Sequence, residues 1–169
     1  LETIKRNVNR KQEDLRLFEF GKSYGQENDL PFENEHLIIA LSGTHHPASW
    51  LSSAPRVSDY FSLKEMTLSL FRRLGIQYTK TENLENHDGL LFGVSFYAGG
   101  ALLGRIGCVD PILSDPFDIR QPVYLADFNF SNMVNVSSRS VVVYEELNRF
   151  PSVIRDLAIV IDQRTTFEH

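Results

Sequence analysis

Two adjacent imidazoles, His45 and His46, are the residues whose type first suggests chemistry, because a neutral imidazole nitrogen is a common zinc ligand. Neighbouring positions in the proline-flanked stretch THHPASW rarely converge on one ion, and no Cys or carboxylate stands at ligand spacing beside them. They read as a solvated loop, in which Trp50 packs internally or anchors a protein partner. Cys108 would be a nucleophile if a base approached it, but RIGCVD is an apolar, strand-like setting that reads it as a buried small hydrophobe. Asp110, Asp115, Asp118 and Asp127 raise acid-base work or magnesium binding. Their spacing fixes no common face, and caps or turns account for Asp110 and Asp115. Gly99, Gly100, Gly104 and Gly107 invite a phosphate-loop reading, yet GGALLGRIG fits neither GxxxxGK[ST] nor GxGxxG. The residues therefore nominate no catalytic group, no cofactor-binding group and no metal ligand.

A basic patch is the remaining candidate. Lys5, Arg6, Arg10 and Lys11, with Arg16 just beyond, have the charge to neutralise phosphates of an RNA. Glu2, Glu13 and Asp14 balance them, and no aromatic residue interleaves, so a solvated helix face competes with RNA contact.

Several elements must position these residues. Leu1, Ile4 and Val8 recur at helical spacing, with the basic residues on the outer face. Leu1 opens this pattern without a cap, which sets the expectation of a chain cut at its front. LRLFEFGKSYG over 15–25 predicts a strand, and an acidic loop with Glu27, Asp29, Glu33 and Glu35 around Pro31 is expected after it. HLIIALSG over 36–43 predicts a strand inside the sheet. Ser62-Leu63-Lys64-Glu65 matches a capping box for a helix whose apolar face is Leu63, Met66, Leu70, Phe71 and Leu74, with Gly75 as its left-handed stop. Ala98-Gly99-Gly100 predicts the tight turn of a hairpin within 89–109. Asp110-Pro111 predicts a cap and one turn of helix, and strands are expected around 122–130 and 139–147. Strands outnumber helices without a repeating strand-helix-strand unit. The expected fold class is α+β, a mainly antiparallel sheet flanked by helices.

Composition excludes several function classes. At 169 residues the chain has the length of about one domain, and 42% hydrophobic and 23% charged residues are ordinary globular usage. A net charge of −5 gives the whole chain no attraction for nucleic acid or an acidic membrane. The single cysteine rules out an internal disulfide framework and predicts a reducing compartment, by default the cytoplasm. GLLFGVSFYAGGALLG, a long uncharged run, is too short and too glycine-broken for a spanning helix, so no membrane segment is expected.

Three stretches carry a family resemblance. IKRNVNRKQEDLRLFEFGKSYG resembles the N-x-N-R segment and Leu-Phe-Glu run of the β subunit of bacterial phenylalanyl-tRNA synthetases. SDYFSLKEMTLSLFRRLGI is similar to the family's following helix, and RFPSVIRDLAIVID to the signature opening the C-terminal anticodon-binding domain. They occur in family order. The resemblance implies a non-catalytic core over residues 1–146, like a class II aminoacyl-tRNA synthetase, and the first strand of a ferredoxin-like domain over 147–169. It implies as partners the α subunit, in an (αβ)2 heterotetramer, and tRNA through the whole assembly. ATP and Mg2+ are used by that parent ligase, with no cofactor in this segment. The Gly-x-Gly-x-x-Arg of a catalytic class II third motif is absent from these residues. An independent RNA-binding module using the basic N-terminal face is the alternative, and a freestanding small enzyme the third.

Overall fold

The structure is a computed structural model and describes residues 1–27, 30–46, 56–87 and 89–137. A six-stranded sheet organises it. The strands are β1 (Leu15–Glu27), β2 (Leu30–Ser42), β5 (Lys80–His87), β6 (Leu90–Ala98), β7 (Ala101–Val109) and β8 (Val123–Asn129). Their order is β1-β2-β8-β7-β6-β5, and every neighbouring pair is antiparallel. β8 is inserted between the β1–β2 hairpin and the β5–β6–β7 meander, joining two locally formed pieces into one sheet. A separate short pair, β3 (Thr44–His46) and β4 (Arg56–Val57), stands apart from it. The mainly antiparallel α+β expectation is met.

The strand period of two divides the sheet into faces with different coverings. Leu37 and Leu41 of β2, Val94 and Phe96 of β6, Ile106 of β7, and Ala126 and Phe128 of β8 point to one face. Helix α2 (Tyr60–Arg73) closes that face through Leu63 and Phe71, and helix α4 (Phe130–Ser137) adds Met133. Phe71 stands edge-on to Phe96 at 5.4 Å and to Phe128 at 5.7 Å, the T-shaped geometry in which ring edges meet ring faces. The other face carries Leu15, Leu17, Ala40, Val123 and Leu125. Among the described residues, Ile4 of α1 (Glu2–Val8), together with Phe117 and Ile119 beyond the one-turn α3 (Pro111–Ser114), covers one end of it.

Local chemistry explains the element ends. Gly99 and Gly100 have φ of 56° and 84° between the paired Ala98 and Ala101, so the predicted two-residue turn is present. Asp110 Oδ1 accepts from the Ile112 amide at 2.9 Å with Pro111 at the first helical position, again as expected. The α2 helix ends in a Schellman arrangement: Ile76 N donates to Phe71 O and Gly75 N to Arg72 O, with Gly75 at φ 66°.

Four expectations shift. The α2 cap is Asp59 rather than Ser62: Asp59 Oδ1 accepts at 2.6 Å from both the amide and the hydroxyl of Ser62, which lies inside the helix and is buried. A carboxylate at the helix start also suits the helix dipole better than a hydroxyl. The expected acidic loop is the first half of β2, where the described carboxylates Glu33 and Glu35 sit on a solvated ribbon opposite Tyr24 and Lys22. Strand β8 stops at Asn129, and Phe130 opens α4. The N-terminal helix ends at Val8, so Arg10 and Lys11 lie in the turn after it. The expected strand at 139–147 and the second-domain strand of 147–169 fall outside the described residues.

Candidate functional site

The partly covered face of the sheet holds the site, and register builds it. Glu19 of β1 pairs with Ile38 of β2, Ile38 with Asp127 of β8, Asp127 with Arg105 of β7, and Arg105 with Ser95 of β6. Paired residues share a face, so these five form one row across five strands. One step toward α1, Leu17, Ala40, Leu125, Gly107 and Gly93 form a parallel row with no polar side chain. A charged row thus borders an apolar floor.

A concave cavity of about 370 Å³ opens over this boundary. Leu17, Ala40 and Leu125 lie beneath it, Ile4 and Val109 wall its closed end, and Glu19, Arg105 and Asp127 line its polar end. Ser95, beside Arg105 in the row, is 1% exposed.

Beyond the charged row comes His36, paired with Gly21 and Asn129. Its Nδ1 lies 2.8 Å from Asp127 Oδ1 and its Nε2 lies 2.8 Å from Ser23 Oγ. With the ring neutral, Nδ1–H donates to the carboxylate and Nε2 accepts from the serine hydroxyl. This Ser-His-Asp chain has the connectivity of a nucleophile, a base and its orienter. The other requirement of acyl transfer is a pair of convergent N–H donors where an oxyanion would form. Strand amides lie in the plane of the sheet, whereas Ser23 Oγ stands on its face, and the Asp127 side chain is 45% exposed. The chain ties β1, β2 and β8 together.

The remaining sequence candidates do not join this site. Lys5 and Arg6 are on α1, with Lys5 half-buried and Arg6 exposed. Arg10 and Lys11 are exposed in the following turn, where Arg10 N donates to Asn7 O and Lys11 N to Val8 O, with Lys11 in the left-handed region at φ 62°. Cys108 is buried beside Tyr124 on the helix-covered side. Burial pushes its thiol up and the Asp110 carboxylate adds to this. Asp110 caps α3, Asp115 opens a short 3-10 turn, and Asp118 lies 3.6 Å from Arg120. Of the four aspartates weighed from sequence, Asp127 alone reaches the site. The backbones of His45 and His46 lie in β3, and Trp50 is outside the described residues. Among the described residues no three His, Cys, Asp or Glu side chains are grouped to hold a metal ion, and no helix is long and apolar enough to cross a membrane.

The charged row offers one guanidinium against two carboxylates. At the start of α4, Asn129 Oδ1 accepts from the Asn132 amide at 2.8 Å, and the Ser131 hydroxyl donates to Glu35 at 3.3 Å.

Comparison with solved structures defines the class. Two structures of pyrrolysyl-tRNA synthetase from Desulfitobacterium hafniense share the fold over 82% of this chain, with TM-scores of 0.56 and 0.57 at 19% and 16% identity, covering 47% and 48% of those chains. The fold is that of an aminoacyl-tRNA synthetase. Residues 1–130 match the family model described as the phenylalanyl tRNA synthetase beta chain CLM domain, and the chain belongs to that family. It is 32% identical over 165 residues to the phenylalanine–tRNA ligase beta subunit of Listeria monocytogenes serovar 1/2a, covering 94% of this chain and 20% of that one. The corresponding subunit of Bacteroides fragilis strain ATCC 25285 is 30% identical over 179 residues, covering 99% and 22%. That of Streptococcus pneumoniae serotype 4 is 32% identical over 175 residues, covering 99% and 21%. The chain spans about a fifth of the length of these relatives.

Proposed function

We infer that this chain is the non-catalytic, class II synthetase-like core of a phenylalanine–tRNA ligase β subunit. It packs with the α subunit and supports the (αβ)2 assembly that aminoacylates tRNA. The observation that carries this reading is the family match over residues 1–130. The core contributes positioning and burial rather than amino-acid activation. ATP and Mg2+ are then the α subunit's reactants. The core extends over 1–146, and RFPSVIRDLAIVID begins a ferredoxin-like anticodon-binding domain over 147–169. The assembly works in the cytoplasm.

The test is co-expression of the full-length parent protein with α chains from the same source. Stoichiometric co-purification is the expected result, and a parent that elutes without α contradicts the interface role.

A second reading rests on the exposure of Arg6, Arg10 and Lys11 within one short segment. In it this segment, with Lys5, contacts RNA phosphates. RNA affinity of the purified chain would then fall steeply with salt, and charge removal at these four positions would flatten that slope. Absence of salt-dependent binding sinks it.

A further inference from the structure

We propose that the outer edge of β1 pairs with the same edge of a second copy of this chain, antiparallel and about a twofold axis at Gly21, so that two sheets join into one. This inference does not rest on the subunit reading above. The two edges of the six-stranded sheet are β1 and β5, and they are protected unequally. Strand β5 reads KTENLENH, the charged and polar side chains with which an edge discourages further pairing. Strand β1 runs for 13 residues and exposes three aromatic side chains on one face, Phe18 at 72%, Phe20 at 57% and Tyr24 at 72%. Phe20 is held edge-on to Phe130 of α4 at 5.1 Å. The hairpin end of β1 is also thin. Strand β8 pairs with β2 only over His36 to Ser42, so residues 22–27 and 30–35 form a ribbon two strands wide. Such a ribbon is marginally stable in water by itself and gains support from a third strand.

The side chains of β1 choose the partner and the register. Antiparallel pairing about a twofold axis sets one residue opposite itself, and opposite residues share a face. With Gly21 at the axis, Phe18 of one copy stands opposite Tyr24 of the other, Phe20 opposite Lys22, and Glu19 opposite Ser23. The most exposed rings then cover each other, and the stem of Lys22 lies against Phe20 while its ammonium stays 2.5 Å from Glu33. All 13 residues of the strand find a partner, and the ribbon of each copy gains its third strand from the body of the other. Other registers are worse. An axis at Glu19 or at Lys22 sets a charge against itself, and an axis at Ser23 sets Glu19 against Glu27. An axis at Phe20 opposes no like charges but leaves Gln26 and Glu27 of each ribbon bare.

Sedimentation equilibrium of the purified chain is expected to show its mass rising from one chain toward two between about 1 μM and about 100 μM, the weak end of the range for interfaces of ordinary size. Two variants with the same loss of aromatic surface then test the pairing of positions 18 and 24. Phe18→Lys with Tyr24→Lys sets like charges opposite each other on both sides of the axis, and Phe18→Glu with Tyr24→Lys sets opposite charges there. The second is expected to dimerise at least about tenfold more tightly than the first, with unfolding midpoints reporting that both fold. Gly21→Cys tests the axis itself. A Cβ at Gly21 meets nothing within 4 Å, so the side chain fits the single copy, and opposite Cα atoms about 4.5–5.5 Å apart lie within disulfide reach. Oxidation with glutathione disulfide is expected to link Gly21→Cys into a covalent dimer and to leave Phe18→Cys, whose two copies lie far from the axis, unlinked; Cys108 is buried in both. Equal dimerisation of the two charged variants, or linkage of Phe18→Cys as readily as Gly21→Cys, overturns the proposal. So does a chain that stays single up to about 100 μM, which would leave this edge to a strand of another protein.

Discussion

The carboxylate of Asp127 on β8 holds Nδ1 of His36 on β2 at 2.8 Å, although 91 residues separate them in the chain. Ser23 of β1 takes the other ring nitrogen at 2.8 Å, so one imidazole joins three adjacent strands. His36→Ala is expected to lower stability by about 1–2 kcal/mol, the worth of hydrogen bonds to a charged acceptor at a half-buried position. A double-mutant cycle of His36→Ala with Asp127→Asn, read by urea unfolding, should give a coupling of about 0.5–1.5 kcal/mol. Strict additivity would mean that the pair does not hold the strands together.

Helix α2 offers a contrast between two side chains. Asp59→Ala removes the side-chain acceptor of the Ser62 amide and should cost about 1 kcal/mol. Thr67, on the same helix, is fully buried with no hydrogen-bond partner for its hydroxyl. Thr67→Val should therefore raise stability, by up to about 1 kcal/mol. Thermal unfolding of the two variants checks both signs.

Two glycines of the β6–β7 meander separate backbone conformation from space. A Cβ on Gly100 meets nothing within 4 Å, so Gly100→Ala should cost only the left-handed conformation, about 1–2 kcal/mol. A Cβ on Gly104 would stand 2.5 Å from Asp127 O and 2.8 Å from Phe128 Cα. Backbone on the neighbouring strand cannot step aside, and Gly104→Ala should exceed the Gly100 loss by at least about 1 kcal/mol. Equal losses by chemical denaturation would contradict this close approach of β7 and β8.

Much of this architecture was legible in the sequence because short-range signals set it. Paired glycines specified the turn at 99–100, Asp110-Pro111 specified α3, and helical spacing specified the buried face of α2. The cap moved by three residues because Asp59 and Ser62 both satisfy cap chemistry, and only the backbone decides which is outside the helix. Polar strands gave no such signal. The first half of β2 and all of β5 lie where charged residues are tolerated, so the alternation that marks a half-buried strand is missing. The short α4 was hidden behind the apolar run of β8. The site was illegible for a different reason: Glu19, Asp127 and Arg105 come together through the pairing of β8 between β2 and β7, a long-range choice with no local spacing to betray it. The alternation Leu15, Leu17, Glu19 contained the one usable hint, a face that turns from apolar to charged.

Alkaline pH should destabilise the protein through the buried Cys108 and the half-buried Tyr124 beside it. Burial pushes the Cys108 thiol up, with Asp110 adding to it, and burial also pushes the Tyr124 phenol up, with Cys108 and Asp59 adding. The native state therefore stays protonated where the unfolded chain ionises. Stability is fully present below the ordinary thiol range and falls as pH rises through it toward the raised native values. Urea midpoints at about pH 7 and about pH 10 should show this loss, and Cys108→Ala should reduce it. A midpoint unchanged across that interval would contradict the raised values.

The central claim is that this chain is a synthetase-like module that does not itself activate an amino acid. Phenylalanine-dependent exchange of pyrophosphate into ATP tests it most directly. The purified chain should show no exchange above a no-protein control, while the full-length parent purified with its α chain should exchange readily. Robust exchange by the purified chain alone would contradict the account.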